Sequence, residues 1–182
     1  MKPRVILSDK EFRLTIDRLC HQLIENHGDF SDTCLIGVQP RGVALADRIV
    51  SRLREKLKGK NLLYGQLDAT FYRDDFRRGD KIVTASEMKM EFSIEGKNVV
   101  LIDDVFYTGR TIRAAMDALL DFGRPKKVEL LTLVDRRFSR HVPIQPDYTG
   151  RVIDAVASEY VKVEWAERDG KDKIILSERE KE

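Results

Sequence analysis

Cysteine is scarce. Cys20 and Cys34 are the only two in 182 residues, and they do not form a CxxC pair. That spacing excludes a disulfide framework or a zinc ribbon, and two isolated thiols suit a reducing compartment. No apolar run approaches the roughly 20 residues of a membrane span, and Met1-Lys2-Pro3-Arg4 leads into no signal-peptide core. We therefore expect a soluble, cytoplasmic protein with no membrane partner. An excess of one charge is also missing. Lys and Arg number 33 against 31 Asp and Glu, a net charge of +2. Such a balance neither demands nor forbids a polyanionic partner, because a local basic face can hide within it. There is no internal repeat and no low-complexity linker, and His21, His27 and His141 fall at no metal-binding spacing. The length suits one domain over residues 1–182.

Periodicity outlines an α/β chain. Ser8-Asp9-Lys10-Glu11 has the pattern of a capping box, and Phe12, Ile16, Leu19, Leu23 and Ile24 then make a helical stripe that Gly28 can end. Thr33 to Val38 reads as a buried strand, Val43 to Leu57 as a helix and Asn61 to Leu67 as a second strand. Val99 to Ile102 and Val128 to Val134 give two more strands, whereas Val142 to Ile153, with Pro143, Pro146 and Gly150, reads as irregular. Val161–Trp165 and Lys173–Leu176 flank Asp169-Gly170, a hairpin signal. Strands alternating with helices predict a central, mainly parallel sheet covered on both faces. Residues 69–95 are charged and poorly periodic, and a loop of that length is usually functional or mobile.

The segment Val99-Val100-Leu101-Ile102-Asp103-Asp104-Val105-Phe106-Tyr107-Thr108-Gly109-Arg110-Thr111 carries the chemistry. A short apolar run followed by a turn suits a buried parallel strand. Two carboxylates follow it, then a small-residue loop that opens the helical pattern Ile112 to Leu120. In open α/β sheets ligands bind beyond the carboxyl ends of strands, and a loop at a helix N-terminus makes an anion site. Acids beside a phosphate cradle fit a phosphorylated sugar, its hydroxyls meeting the carboxylates or a Mg²⁺.

This segment resembles the phosphoribosyl-diphosphate (PRPP) motif of type I phosphoribosyltransferases. The resemblance implies that fold, with a small hood at about 136–160 and a flexible lid at about 69–95. It also implies Asp103 and Asp104 at the ribose hydroxyls, directly or through Mg²⁺, and Thr108, Gly109, Arg110 and Thr111 at the 5′-phosphate. Ile36-Gly37-Val38-Gln39-Pro40-Arg41-Gly42 resembles the family's pyrophosphate loop, which assigns Pro40, Arg41 and Gly42 to the leaving group. Members commonly hold a cis peptide at this step. Cis is cheapest before proline, so we expect a cis Gln39–Pro40 bond.

Gly65-Gln66-Leu67-Asp68-Ala69-Thr70-Phe71-Tyr72-Arg73-Asp74-Asp75 resembles the signature of the PyrR proteins, which are pyrimidine-operon regulators and uracil phosphoribosyltransferases. It implies a lid with Arg73 at the pyrophosphate, while Arg77, Arg78 and Lys81 read as a solvated charged loop. Val134-Asp135-Arg136 resembles the PyrR Val-Asp-Arg. Hypoxanthine-guanine enzymes place a lysine at the position of Asp135. Uracil is thus expected at Arg136 and the backbone around Tyr148 and Thr149. The implied partners are PRPP, uracil, UMP and pyrophosphate, with a homodimer or tetramer as the assembly.

The regulatory half is less well kept. Arg18, His21 and Arg151 stand where contacts to pyrimidine-operon leader RNA are expected, but Asp17 and Asn26 replace a neutral residue and a cation of the pattern. Gly150-Arg151-Val152-Ile153-Asp154-Ala155 departs from the usual Gly-Lys-Asn-Ile-Pro-Thr. Arg137-Phe138-Ser139-Arg140 departs from the usual Gly-His-Arg and is one residue longer. Two alternatives stay open at this point: an RNA-binding attenuator that uses UMP or PRPP only as effectors, and a purine phosphoribosyltransferase.

Overall fold

The structure is a computed structural model that describes residues 3–58, 60–73, 90–156 and 158–178. Five parallel strands make the main sheet in the order β3 (Leu63–Leu67), β2 (Thr33–Val38), β4 (Asn98–Phe106), β5 (Lys127–Arg137) and β6 (Tyr148–Asp154). Side chains alternate across a strand. Val100 and Ile102 of β4 therefore join Leu19 of α1 (Asp9–His27) and Leu45 of α2 (Gly42–Lys56) on one face. Val99 and Leu101 join Ile112 and Ala115 of α3 (Arg110–Leu119) on the other. Both faces are buried, which is why the sequence shows unbroken apolar runs there rather than alternation.

The main departure from the sequence reading lies after β5. Residues 148–154 read as irregular and as part of a hood, yet they form the fifth parallel strand. Gly150 marks the join. A Cβ there would stand 2.4 Å from the Leu133 carbonyl oxygen and 2.9 Å from Thr15 Cγ2, so only glycine lets β6 close on β5 beneath α1. Both β4 and β5 also run further than their apolar cores, placing Asp103 and Asp104 inside a strand rather than beyond it.

A smaller antiparallel sheet joins the two ends of the chain: β1 (Arg4–Leu7), β8 (Lys173–Glu178) and β7 (Glu159–Glu164). The hairpin expected around Asp169-Gly170 is present, with α4 (Ala166–Asp169) as a single turn between its strands. Phe12 of α1 meets Trp165 edge-on, with ring centroids 5.3 Å apart. Arg48 of α2 lies 5.0 Å from the Trp165 ring centroid and donates to both Asp172 oxygens, at 2.5 and 2.8 Å. These contacts fix β7 over the end of the main sheet. Among the described residues no helix is long and apolar enough to cross a membrane.

Candidate active site

The ends of β2, β4 and β5 and the start of β7 enclose a cleft of about 330 Å³. Asp103 and Asp104 form its floor and are almost wholly buried. Backbone amides hold them: Asp104 N–H donates to Asp103 Oδ1 at 2.9 Å, and Val105 N–H to Asp104 Oδ1 at 2.7 Å. Burial raises both carboxyl groups above the usual carboxylate range, and for Asp103 the neighbouring Asp104 adds to it. Arg41 opposes the rise in both. Two crowded carboxylates facing one arginine have room for further positive charge or hydroxyl donors. Among the described residues no cluster of three or more His, Cys, Asp or Glu could hold a metal alone. The pair suits a cation that takes most of its oxygens from water or ligand, as Mg²⁺ does.

Two helices begin beside this floor. α2 starts at Gly42 and α3 at Arg110; neither has an acid in its first turn or a side-chain bond from its N-cap residue, and in α3 the Arg110 N–H makes one long bond, 3.4 Å, to Thr108 Oγ1. By contrast α1 starts with Asp9 and Glu11, and Ser8 N–H donates to Glu11 Oε2 at 2.8 Å. Uncapped first-turn amides and the positive end of a helix dipole form an anion site. Gly109, at φ +86°, turns the chain into α3 in the left-handed region that glycine tolerates. The Gln39–Pro40 peptide is cis, as expected. Gly42 also has a packing role. A Cβ on it would lie 2.2 Å from the Ile102 carbonyl oxygen, so it is the tight seam between α2 and β4.

Of the residues expected from sequence, Pro40, Arg41, Arg73, Asp103, Asp104, Thr111 and Arg136 share the cleft. Arg136 is buried, its guanidinium 4.1 Å from the Tyr107 ring centroid, and it donates to the Val156 and Glu159 carbonyls at 3.3 and 3.1 Å. Tyr148 and Thr149 are not brought there. Tyr148 is buried under α1, its hydroxyl within 2.9 Å of Asn26 Nδ2 and 3.1 Å of His27 Nε2. Thr149 lines a separate cavity with Asp135, Arg140 and Pro143. The residues that wall the cleft instead are Tyr107, Tyr160 and Val161. Tyr107 sits inside the PRPP motif and was open to notice. Tyr160 and Val161 were not, because the small sheet that carries them is closed by a strand from the far end of the chain.

The Asp-x-Thr of the lid signature has a local cause. Thr70 N–H and the Thr70 hydroxyl both donate to Asp68 Oδ1, the first at 2.8 Å, and this turns β3 into the one-turn helix Thr70–Tyr72. Asp74, Asp75, Arg77, Arg78 and Lys81 lie outside the described residues. The residues expected at RNA are exposed. Arg18 donates to the Thr149 and Gly150 carbonyls at 3.1 and 2.6 Å, and His21 Nε2 is 3.3 Å from Lys56, whose ammonium lies 3.7 Å from Asp17.

A model of the phosphoribosyl transferase domain matches residues 5–168. Over 178 residues the chain is 48% identical to the bifunctional protein PyrR of Microcystis aeruginosa, covering 97% of this chain and 99% of that one. The chain belongs to the PyrR family. The bifunctional protein PyrR of Elusimicrobium minutum is 40% identical over 95% of this chain and 96% of its own. Among solved structures, a hypoxanthine phosphoribosyltransferase of Trypanosoma cruzi superposes with a TM-score of 0.70 at 16% identity, covering 97% of each chain. One from Staphylococcus aureus gives 0.69 at 20% identity, covering 97% of this chain and 92% of that one. These likenesses show that this PyrR-family chain has the type I phosphoribosyltransferase fold.

Proposed function

We propose that this cleft converts uracil and PRPP into UMP and pyrophosphate. The observation that carries the reading is the buried Asp103–Asp104 pair set between two acid-free helix N-termini. Breaking the anomeric C–O bond leaves positive charge on the ribose and negative charge on pyrophosphate, while the new bond forms to a uracil nitrogen. The protein must then position and neutralise rather than attack covalently. Asp103 and Asp104 would hold the ribose hydroxyls. Arg41, Arg73 and the start of α2 would receive pyrophosphate, and Thr108, Gly109, Arg110, Thr111 and the start of α3 the 5′-phosphate. Tyr107, Arg136, Tyr160 and Val161 would enclose the base. Mg²⁺, held by Asp103 and Asp104 with waters and ligand oxygens, would neutralise charge on the diphosphate.

Uracil is favoured over a purine because Asp135, at the position of the purine enzymes' lysine, has its carboxylate paired with Arg140. The similarity to bifunctional PyrR proteins over nearly the whole chain supports a second activity, binding of pyrimidine-operon leader RNA through the face of α1 and β6 bearing Arg18, His21 and Arg151.

Chromatography of nucleotide formed from uracil, PRPP and Mg²⁺ tests the catalytic reading. Asp103→Asn and Asp104→Asn should each lower the rate by on the order of 10²-fold, the scale of one preorganised electrostatic group. A double variant with near-native activity would contradict the assignment.

A further inference from the structure

Residues 140–142 run along the outside of the loop at 107–109 as a clasp. The Arg140 guanidinium donates to the Tyr107 carbonyl, and His141 N–H donates to the Thr108 carbonyl at 2.9 Å. Val142 then packs on Gly109 so closely that a Cβ there would lie 2.4 Å from its Cγ2. Only the first of these contacts depends on a functional side-chain group, and that group reaches further. Arg140 also donates to the Arg136 carbonyl at 3.0 Å, pairs with the Asp135 carboxylate and stacks 3.8 Å from the Phe106 ring centroid. One planar cation thus ties the backbone at the end of β4 to the backbone at the end of β5. Arg136, held there, lies over the Tyr107 ring, and both residues line the cleft.

We propose that Arg140 is a positioning residue for the transfer reaction: it sets the 5′-phosphate loop and the Arg136–Tyr107 wall of the base site as one unit. This rests on the reading of the cleft given above. Arg140 is absent from the cleft lining, and both backbone carbonyls it grips belong to residues that do line it. A guanidinium can serve two carbonyls and a carboxylate in one plane, whereas an ammonium offers a single point of charge.

The test is calorimetric titration of wild type, Arg140→Ala and Arg140→Lys with UMP, and separately with Mg²⁺-pyrophosphate, alongside thermal melting. UMP needs the 107–111 loop. Pyrophosphate is assigned to the Arg41 side, away from the clasp. For Arg140→Ala the UMP dissociation constant should rise about tenfold, the scale of one hydrogen bond from a charged group. The pyrophosphate constant should change less than about twofold, within the scatter of a surface change. Arg140→Lys keeps the charge beside Asp135. It should melt near wild type and weaken UMP by an intermediate factor, and it decides the matter if the alanine variant fails to fold. Unchanged UMP affinity, or equal weakening of both ligands, would overturn the inference. A wild type that neither binds UMP nor forms it would overturn the reading of the cleft itself, a distinguishable result.

Discussion

Arg41 donates to the hydroxyl of Tyr160 at 2.9 Å, joining the loop before α2 to β7 of the small sheet. That bond and the charges of Asp104 and Asp103 hold Arg41 firmly protonated despite its partial burial. The loop proposed to receive pyrophosphate is therefore aimed from a strand more than a hundred residues away in sequence. Tyr160→Phe leaves the ring and removes the bond, which is worth about 1–2 kcal/mol. The KM for PRPP should rise roughly five- to thirtyfold at that scale, with the fold intact. Unaltered PRPP kinetics would mean that Arg41 needs no such support.

Tyr148 gives the opposite case. Its hydroxyl is committed to Asn26 and His27, and His27 in turn contacts Thr33 and Glu129 at 3.1 and 2.9 Å. Tyr148→Phe should lower stability by about 1 kcal/mol in urea unfolding and leave uracil transfer unchanged. A marked rise in the KM for uracil would restore Tyr148 to the base site.

These two tyrosines show what was legible. The strand, carboxylates and loop from Val99 to Thr111 are contiguous, so their chemistry can be read locally, as can the cis step at Gln39–Pro40. β1, by contrast, is four residues long and exists only because β8 pairs with it. β6 carries two prolines shortly before it and a glycine within it, and these signals conceal a strand that close packing against Leu133 and Thr15 requires. Tyr160 and Val161 line the cleft from the sheet that β1 and β8 complete, so their place there depends on pairing that no local pattern displays.

The small sheet is held to α2 by a pH-sensitive pair. Burial alone would raise the Asp172 carboxyl, but two bonds from Arg48 and one from Ala166 N–H, at 2.7 Å, leave it below its ordinary value. A carboxyl lowered in the fold stabilises fully above its unfolded pKa of ~3.9, and the gain is lost as pH falls through the folded value. Asp172→Asn should therefore cost about 2 kcal/mol at neutral pH. That figure sits below the usual cost of breaking a buried pair, because Arg48 keeps Glu167 at 2.6 Å. The gap between variant and wild type should close progressively below about pH 4. Denaturant melts at neutral and acid pH measure both numbers, and a gap that stays constant would exclude the ion pair as its source.

On the face of α1 proposed for RNA, Asp17 lies 3.7 Å from Lys56 and puts an acid next to Arg18 in the sequence. Phosphate contacts supply most of the affinity for nucleic acid and make it salt-dependent. Asp17→Asn should tighten binding to the chain's own pyrimidine-operon leader RNA several-fold and steepen its dependence on salt. Filter binding across a salt series reads both. An unchanged constant would place the RNA elsewhere.

The central claim is that the cleft joins uracil to the ribosyl 5′-phosphate of PRPP. It is tested most directly by competition: equimolar uracil, hypoxanthine and guanine offered with limiting PRPP and Mg²⁺, and the nucleotides separated. A site built around one set of polar groups can reject the wrong base by roughly 10⁴-fold. The account predicts UMP as essentially the sole nucleotide, with pyrophosphate released in equal amount. IMP or GMP in comparable yield, or no nucleotide at all, would contradict it.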